Sequence, residues 1–266
     1  MNGYGFARAR LVPSQALPGQ GRRREPLDCI ERALSRRPTW RWTVVQAAIT
    51  RLEAKTYLEI GVSTGTNFCR IVAPRKIGVD PAGPSAAVRR QEHRFGATFY
   101  PMTSDAFFAG PAAVLEREGL DVAFVDGLHT FRQSMVDVRH CLRHLNPGGA
   151  ILLHDCNPTD PAMATPAASV EEAQAKCVPG WTGEWTGDVW KTIVALRSSR
   201  PDLTAFVLDC DYGVGVVLQR PAKTRLPFSP QEILRWTYPD LESRRAELLD
   251  LRPPDGLFEW IGHESA

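Results

Sequence analysis

Four side chains that can exchange protons or bind a cation follow two neighbouring apolar runs of the sequence. Asp126 and His129 come after the first of these runs. His154 and Asp155 come directly after the second. If both runs are parallel strands, the aspartates meet at one sheet edge, where they either bind a hard cation or keep one carboxyl protonated. An imidazole that titrates near neutrality is a suitable general base, so the histidines offer a second chemistry.

A glycine turn follows the first apolar run of the central region. Residues 57–60 predict a short buried strand, and Gly61 and Gly65 follow Glu59 with the spacing acidic-x-Gly-x-x-x-Gly. A strand that turns sharply into a helix presents backbone N–H groups and a positive helix end to a ligand. Glycine adopts positive φ at little cost and lets a ligand approach the backbone. Ser63 stands where a dinucleotide motif has its second glycine.

A further acid lies where a nucleotide ribose would bind. The apolar run 77–79 ends in Asp80, about where an acid reaches ribose hydroxyls in a βαβ nucleotide fold. Because ligands bind at the carboxyl edge of open parallel sheets, we expect the glycine turn and Asp80 to form one site.

The order of the elements predicts an α/β fold. Five strand–helix alternations precede a β-hairpin at residues 203–208 and 214–218. We therefore predict a doubly wound, Rossmann-like sheet of seven strands whose last strand is antiparallel. Helices are expected at about 28–36 and 39–52, and a short one from the glycine turn to about residue 72.

The predicted elements divide the chain into three parts. Residues 1–53 form an N-terminal flexible segment and helical appendage, residues 54–220 the ligand-binding domain, and residues 221–266 a helical tail. A Pro-, Ala- and Gly-rich insertion at about 158–187 contains two tryptophans and is expected to be a lid.

Five motifs in this order resemble a class I S-adenosylmethionine-dependent methyltransferase. They are Glu59-Ile-Gly-x-x-x-Gly65, Ile77-Gly-Val-Asp80, Asp126-Gly-x-His129, Asn146-Pro-Gly-Gly149 and Leu153-His-Asp-Cys-Asn157. The resemblance covers about residues 40–220, including the terminal hairpin, which a nicotinamide dehydrogenase lacks. The closer likeness is to the small-molecule O-methyltransferases of the catechol and macrolide-sugar type.

The resemblance implies a binding site for S-adenosylmethionine. Its residues would be Glu59, Gly61, Ser63, Gly65, Asn67, Asp80, Pro81, Ser104, Asp105, Asp126 and Gly127. The first five would surround the amino-acid end of the cofactor. Asp80 would accept hydrogen bonds from both ribose hydroxyls, and Pro81 would lie against the adenine.

Two regions of this implied site have simpler alternatives. Ser104 and Asp105 would meet the polar edge of the adenine, or they only form the N-cap of the next helix. Glu59 can likewise cap a neighbouring helix. Asp126 and Gly127 would lie beside the sulfonium, where the acid stabilises the positive charge of the cofactor.

The same resemblance implies a divalent cation at the ends of strands 4 and 5. Asp126 and Asp155 would bind Mg²⁺ or a similar ion, with Asn157 as a third oxygen ligand, and the ion would lower the pKa of a substrate hydroxyl. The chain departs from the family at Cys156, where metal-dependent members carry an acid or an amide. A thiolate is a poor ligand for Mg²⁺.

The alternative to a metal is a base. His129 lies three residues after Asp126 and can turn back over the methyl site. His154 precedes Asp155 on a strand, so its side chain is expected on the opposite face. The predicted catalytic groups are therefore Asp126, Asp155, His129 and, with less direct access, His154.

Composition excludes several classes of function. A net charge of +2 gives no general case for a nucleic-acid partner. No apolar run approaches the roughly 18 residues that span a membrane, and the N-terminus lacks the apolar segment of a signal peptide. Six cysteines without a C-x-x-C pair indicate a reduced, cytoplasmic protein.

We therefore expect a methyltransferase that acts on a hydroxyl of a small molecule, such as a phenol, a sugar or another intermediate of natural-product biosynthesis. Two alternatives stay open: a metal-independent N-methyltransferase with His129 as base, and a cofactor-binding interaction protein without transferase activity. A homodimer formed through the N-terminal segment or the tail is also expected.

Overall fold

Eight strands form one mixed sheet in the computed structural model, which describes residues 24–36 and 39–262. The strands are β1 (Thr56–Ile60), β2 (Arg75–Val79), β3 (Thr98–Tyr100), β4 (Leu120–Val125), β5 (Leu145–Leu153), β6 (Thr204–Leu208), β7 (Val214–Leu218) and β8 (Leu251–Arg252). Their spatial order is β3-β2-β1-β4-β5-β7-β6-β8. Strands β1 to β5 pair in parallel, and β7 runs antiparallel to β5 and β6. The predicted doubly wound α/β fold is confirmed, and β8 is an eighth strand that the sequence analysis did not predict.

Eleven α-helices are found in the described part of the chain. They are α1 (Arg24–Leu34), α2 (Arg41–Arg51), α3 (Ala86–Phe95), α4 (Ser104–Ala109), α5 (Ala113–Glu118), α6 (Phe131–His144), α7 (Val170–Ala175), α8 (Trp190–Ser199), α9 (Pro230–Arg235), α10 (Tyr238–Leu249) and α11 (Leu257–Ile261). None of these helices is both long enough and apolar enough to cross a membrane. Most of the N-terminal segment expected to be flexible, residues 1–23, lies outside the described residues.

The sheet is covered by helices on both faces. One buried cluster joins the sheet to α6, α8, α9 and α10. A second cluster joins the opposite face to α1, α2 and α11. The central strands are apolar on both sides because each face is buried, as expected for a parallel sheet. The N-terminal appendage and the C-terminal tail therefore pack on the same sheet that carries the predicted site.

The segment between β1 and β2 forms a series of turns, so the short helix predicted there was wrong. Gly61 and Ser63 have φ values of +87° and +47°, which a right-handed helix does not contain. The buried Lys76 Nζ donates to the carbonyl oxygens of Phe68 and Ile71 at 2.6 and 2.8 Å. This lysine thus satisfies carbonyl groups that a helix would have paired with its own N–H groups.

Gly61 is required by the close approach of β1 and β4. The N–H of Asp126 donates to the carbonyl of Ile60 at 2.8 Å, and the N–H of Gly61 donates to Val79 at 2.9 Å. A Cβ added at Gly61 would overlap the carbonyl oxygen of Asp126 and press on Gly127. Both loops of the predicted site therefore meet at this glycine.

We predict that Gly61→Ala destabilises the fold strongly, because it combines positive φ with a steric overlap against rigid backbone. The expected loss in free energy of unfolding is about 3 kcal/mol, measured by denaturant titration. Gly83→Ala is the matched control, since Gly83 also has positive φ but has no atom within 4 Å of an added Cβ. It should lose only about 1 kcal/mol, and equal losses in the two variants would contradict the overlap.

Candidate functional site

A cleft of about 510 Å³ opens at the carboxyl edge of the parallel strands. Nine of the predicted site residues line it: Gly61, Ser63, Asp80, Pro81, Ser104, Asp105, Asp126, Gly127 and His129. This volume is within the range of small-molecule and cofactor sites. The sequence motifs of β1, β2 and β4 therefore converge on one cavity.

Asp80 forms one wall of the cleft and is held by two backbone N–H groups. Its Oδ2 accepts from Ser63 N at 2.7 Å, and its Oδ1 accepts from Ala82 N at 2.8 Å. Ser63 can direct its N–H at the carboxylate because its φ is +47°. Asp80 is thus fixed in position and keeps further lone pairs for a ligand.

Three of the predicted cofactor residues lie behind the cleft instead of lining it. Glu59 is buried, and its Oε2 accepts from the Tyr57 hydroxyl at 2.5 Å and from Asn67 Nδ2 at 2.8 Å. Burial raises the pKa of Glu59 to about 8, although both hydrogen bonds oppose the shift. Gly65 faces the side chain of Val88 on α3. These residues support the glycine turn from behind, and none of them is a cap of a neighbouring helix.

A polar cluster formed by Ser104, Asp105, Gln133 and Asp137 also lines the cleft. Gln133 Nε2 lies within 3.3 Å of Ser104 Oγ and within 3.1 Å of both Asp105 Oδ1 and Asp137 Oδ1. The N-cap of α4 is Thr103, whose hydroxyl accepts from Ala106 N. The alternative that Ser104 or Asp105 forms the N-cap is therefore wrong, because the cap lies one residue earlier.

Asp137 in this cluster was missed by the sequence analysis. It is 1% exposed and lines the cleft from α6. Burial raises its pKa to about 6, while hydrogen bonds from Ser104 and Gln133 oppose the shift. An acid on the apolar stripe of α6, two turns before its end, is the signal that could have identified it.

The four predicted catalytic side chains are in contact with one another. His129 Nε2 lies 3.2 Å from Asp155 Oδ2 and 3.6 Å from Asp126 Oδ1. His154 Nδ1 lies 3.0 Å from Asp155 Oδ1 and 3.3 Å from Asp126 Oδ1. The two carboxylates are therefore bridged by two imidazoles.

The expectation that His154 faces away from Asp155 was wrong. The chain leaves the strand after Leu153, and Asp155 has a φ of +61°. A non-glycine residue in this conformation is strained, and such strain is concentrated at functional sites. The turn at Asp155 breaks the alternation of side chains along the strand. As a result, the imidazole of His154 contacts both Asp155 and Asp126.

Two residues distant in sequence complete the cluster, and neither was predicted. Asp211 lies in the β6–β7 turn and accepts from the backbone N–H of Arg41 at 2.8 Å, at the start of α2. Arg41 Nη1 lies 3.3 Å from Asp211 Oδ2 and 3.3 Å from His154 Nε2. Asp211 and Tyr212 both have positive φ, and the turn that they form places Asp211 beside Arg41 and His154.

The bridging geometry shifts the pKa values of His129, His154 and Asp126. Burial alone would lower the pKa of His129, but the charges of Asp155 and Asp126 outweigh it and raise the pKa to about 9. The same two acids hold the pKa of His154 well above its usual range against its burial. The pKa of Asp126 is lowered in spite of burial because of the neighbouring His154 and His129.

The structure does not bring Asn157 into this cluster. Its Nδ2 donates to Asp209 Oδ1 at 3.2 Å, and its Oδ1 accepts from Arg245. An oxygen that already accepts from a guanidinium is a poor ligand for a cation. One nitrogen of His154 and one carboxylate oxygen of each of Asp126 and Asp155 lie within 4.8 Å of one another.

The predicted lid contacts the cleft through Trp185. Its carbonyl oxygen lies 2.7 Å from His129 Nδ1, and its ring lies 5.1 Å from the imidazole. Gly187 packs against the His129 carbonyl with no room for a side chain, and Asp188 Oδ1 accepts from Phe131 N at 2.7 Å. The segment therefore fixes the imidazole with Nε2 towards the acids.

Comparison with known protein families gives one match. Residues 58–156 match a family model described as a methyltransferase domain. Among curated proteins, none matches the sequence.

Several solved structures resemble the fold. An O-methyltransferase family protein from Burkholderia thailandensis is 18% identical, with a TM-score of 0.46 over 76% of this chain and 60% of that one. An O-methyltransferase from Bacillus cereus in complex with SAH is 13% identical, with a TM-score of 0.45 over 76% and 92%. The O-methyltransferase TomG from Streptomyces achromogenes, in complex with SAM, is 14% identical, with a TM-score of 0.44 over 74% and 90%.

We predict that Glu59 makes the stability of the fold depend on pH. Its pKa rises from 4.5 to about 8 on folding, so its contribution is complete below pH 4.5 and is lost as the pH rises through about 8. In Glu59→Gln, the free energy of unfolding should therefore fall less across this range than in the wild type. Denaturant titrations at several pH values measure this. The exposed Glu116→Gln on α5 is the control and should follow the wild-type curve, and the same slope in Glu59→Gln would refute the prediction.

Proposed function

We propose that this chain, which carries a methyltransferase domain over residues 58–156, transfers the methyl group of S-adenosylmethionine to a hydroxyl group of a small molecule. The observation that carries the proposal is the continuity of one cleft. It runs from the glycine turn and Asp80 to Asp126 and His129. A nucleoside-binding wall and a set of proton-handling groups therefore share a single cavity.

The cofactor is proposed to bind along the wall formed by β1 and β2. Asp80 would accept from the ribose hydroxyls, because it lines the cleft and both of its oxygens are anchored by backbone N–H groups. Pro81 offers an apolar surface for the adenine. Ser104 and Asp105, with the amide of Gln133, offer donors and acceptors for its polar edge.

Asp126 would lie beside the sulfonium. Its lowered pKa keeps the carboxylate ionised, so it can stabilise the positive charge of the bound cofactor. Methyl transfer to oxygen then needs in-line positioning and removal of the hydroxyl proton. The residues that surround Asp126 would position the acceptor and remove its proton.

The donor set beside Asp126 suits a divalent cation. Asp126, Asp155 and His154 would hold it, since their ligand atoms lie within 4.8 Å of one another. When bound, such an ion lowers the pKa of a coordinated hydroxyl. Asp126 would also orient the acceptor together with His129, because both residues line the cleft at this point.

His129 is the alternative agent of deprotonation. Its Nδ1 faces the Trp185 carbonyl, so Nε2 faces the cleft-side acids. With a pKa raised to about 9, however, His129 carries a proton at neutral pH in the ligand-free chain. As the base of a metal-independent reaction, with oxygen or nitrogen as the acceptor atom, His129 would first have to lose this proton.

The acceptor is proposed to be a small molecule that enters under the lid segment. Leu128 is 46% exposed and Tyr212 is 37% exposed, and both are direct neighbours of site residues in the chain. Trp185 covers the imidazole of His129. These apolar surfaces suit a phenol or another compact ring compound, in keeping with a role in natural-product biosynthesis.

The first test is binding of S-adenosylhomocysteine measured by calorimetry. We expect a Kd in the micromolar range for the wild type and a loss of about tenfold or more in Asp80→Asn, because a ribose hydrogen-bond acceptor is removed. Asp202→Asn is the control, since this exposed acid pairs with Arg200 outside the cleft. Absence of binding to the wild type, or tight binding of NAD instead, would refute the proposed function.

A second test separates the cation from the base. Methyl transfer from labelled S-adenosylmethionine is measured with a set of phenols, sugars and amines, before and after removal of metals by a chelator. We expect the chelator to abolish transfer to hydroxyl acceptors and added divalent cations to restore it. If chelation has no effect and His129→Gln lowers kcat by about 100-fold, His129 is the base instead.

A further inference from the structure

The buried imidazole of His154 is placed to bind a cation and not to deprotonate an acceptor. Its side chain is 5% exposed, whereas that of His129 is 26% exposed. His129 lines the cleft and His154 does not. A group that removes a proton from an acceptor must reach the acceptor, so the two histidines have different tasks.

The spacing around His154 Nδ1 matches the donors of a single ion. This nitrogen lies 3.0 Å from Asp155 Oδ1 and 3.3 Å from Asp126 Oδ1. Metal–ligand distances of about 2.0–2.2 Å place neighbouring ligand atoms roughly 3 to 4 Å apart. One nitrogen and two carboxylate oxygens can therefore bind the same cation with small movements of the side chains.

The other nitrogen of His154 has a carboxylate behind it. Nε2 lies 3.8 Å from Asp211 Oδ2, beyond hydrogen-bond distance, and 3.3 Å from Arg41 Nη1, so the ring must move slightly to donate to Asp211. The backbone N–H and the guanidinium of Arg41 both hold Asp211 in place. Histidine ligands of metals commonly donate their second N–H to such a group, which fixes the ring. Since Arg41 is itself a donor, Asp211 is the group that would accept this proton.

The formal charges of the cluster favour a divalent ion. Asp126, Asp155 and Asp211 contribute three negative charges, and Arg41 contributes one positive charge among them. Two protonated imidazoles balance these charges without an ion, whereas two neutral imidazoles leave a sum of two negative charges in a largely buried place, and a histidine that binds a metal must be neutral. A divalent cation balances this sum, and buried charges are stable only when they are balanced.

We propose that His154 Nδ1 is the third protein ligand of the cation bound by Asp126 and Asp155, and that this mixed set selects a transition-metal ion over Mg²⁺. Imidazole nitrogen suits ions such as Co²⁺ or Zn²⁺, whereas Mg²⁺ prefers oxygen ligands alone. The preference is therefore the opposite of the one expected from an all-oxygen set that includes Asn157. The proposal rests on the proposed function for the purpose of the ion, but cation binding can be measured without cofactor or acceptor.

The test compares the affinities of Co²⁺ and Mg²⁺ for the full chain by calorimetry. We expect the wild type to bind Co²⁺ at least about 100-fold more tightly than Mg²⁺. His154→Asp restores an all-oxygen set and should reduce this ratio by about tenfold or more. Asp211→Asn keeps the three ligands and should weaken Co²⁺ binding by about tenfold, because it loosens the ring of His154.

Pulsed EPR of the Mn²⁺-loaded chain identifies the ligand directly. A nitrogen coupling from a bound imidazole should be present in the wild type and in His129→Gln and absent in His154→Asp. No nitrogen coupling in the wild type, its loss in His129→Gln, or an unchanged Co²⁺ to Mg²⁺ ratio in His154→Asp would each overturn the proposal. If His154→Asp does not fold, a nitrogen coupling that persists in His129→Gln still assigns the ligand to His154.

Binding of S-adenosylhomocysteine is measured on the same samples to keep the two proposals apart. Selective Co²⁺ binding without cofactor binding would refute the proposed function and leave the ligand assignment standing. Cofactor binding without selective Co²⁺ binding would refute only the ligand assignment.

Discussion

The close approach of β1 to β4 is the constraint on which the rest of the site depends. Gly61 packs directly against the backbone of Asp126 and Gly127, with no room for a side chain. The turn after β1 and the turn after β4 are therefore one unit, although 65 positions separate Gly61 from Asp126 in the chain. Any shift of one turn must move the other. The distance between the glycine turn and Asp126 is therefore fixed.

The fold and the walls of the cleft could be predicted from the sequence because each depends on local patterns. Apolar runs that are each followed by a helical stripe specify parallel strands. Once the strands are parallel, their last residues must lie at one edge, and for this reason the sequence predicts that Asp126 and Asp155 lie near each other. The hairpin was equally clear, since its turn residues separate two apolar runs.

The cluster around Asp126 could be predicted only in part, because its remaining members and its geometry depend on backbone conformations and tertiary contacts that residue types alone do not reveal. The positive φ of Asp155 turns His154 towards Asp126, whereas the alternation of an ideal strand places it on the other side. Asp211 and Arg41 come from the β6–β7 turn and from α2, so only the tertiary fold brings them to His154. Asn157 was assigned from its position in a motif, and its real partner, Arg245, lies in α10.

The contact between Trp185 and His129 has a main-chain part and a side-chain part. The imidazole is held by a main-chain carbonyl of the segment 158–187, and not by a side chain of that segment. Every amino acid supplies that carbonyl, whereas the indole ring beside it is specific to tryptophan. A substitution at position 185 can therefore change the surface beside the imidazole and leave the carbonyl contact with its Nδ1 in place.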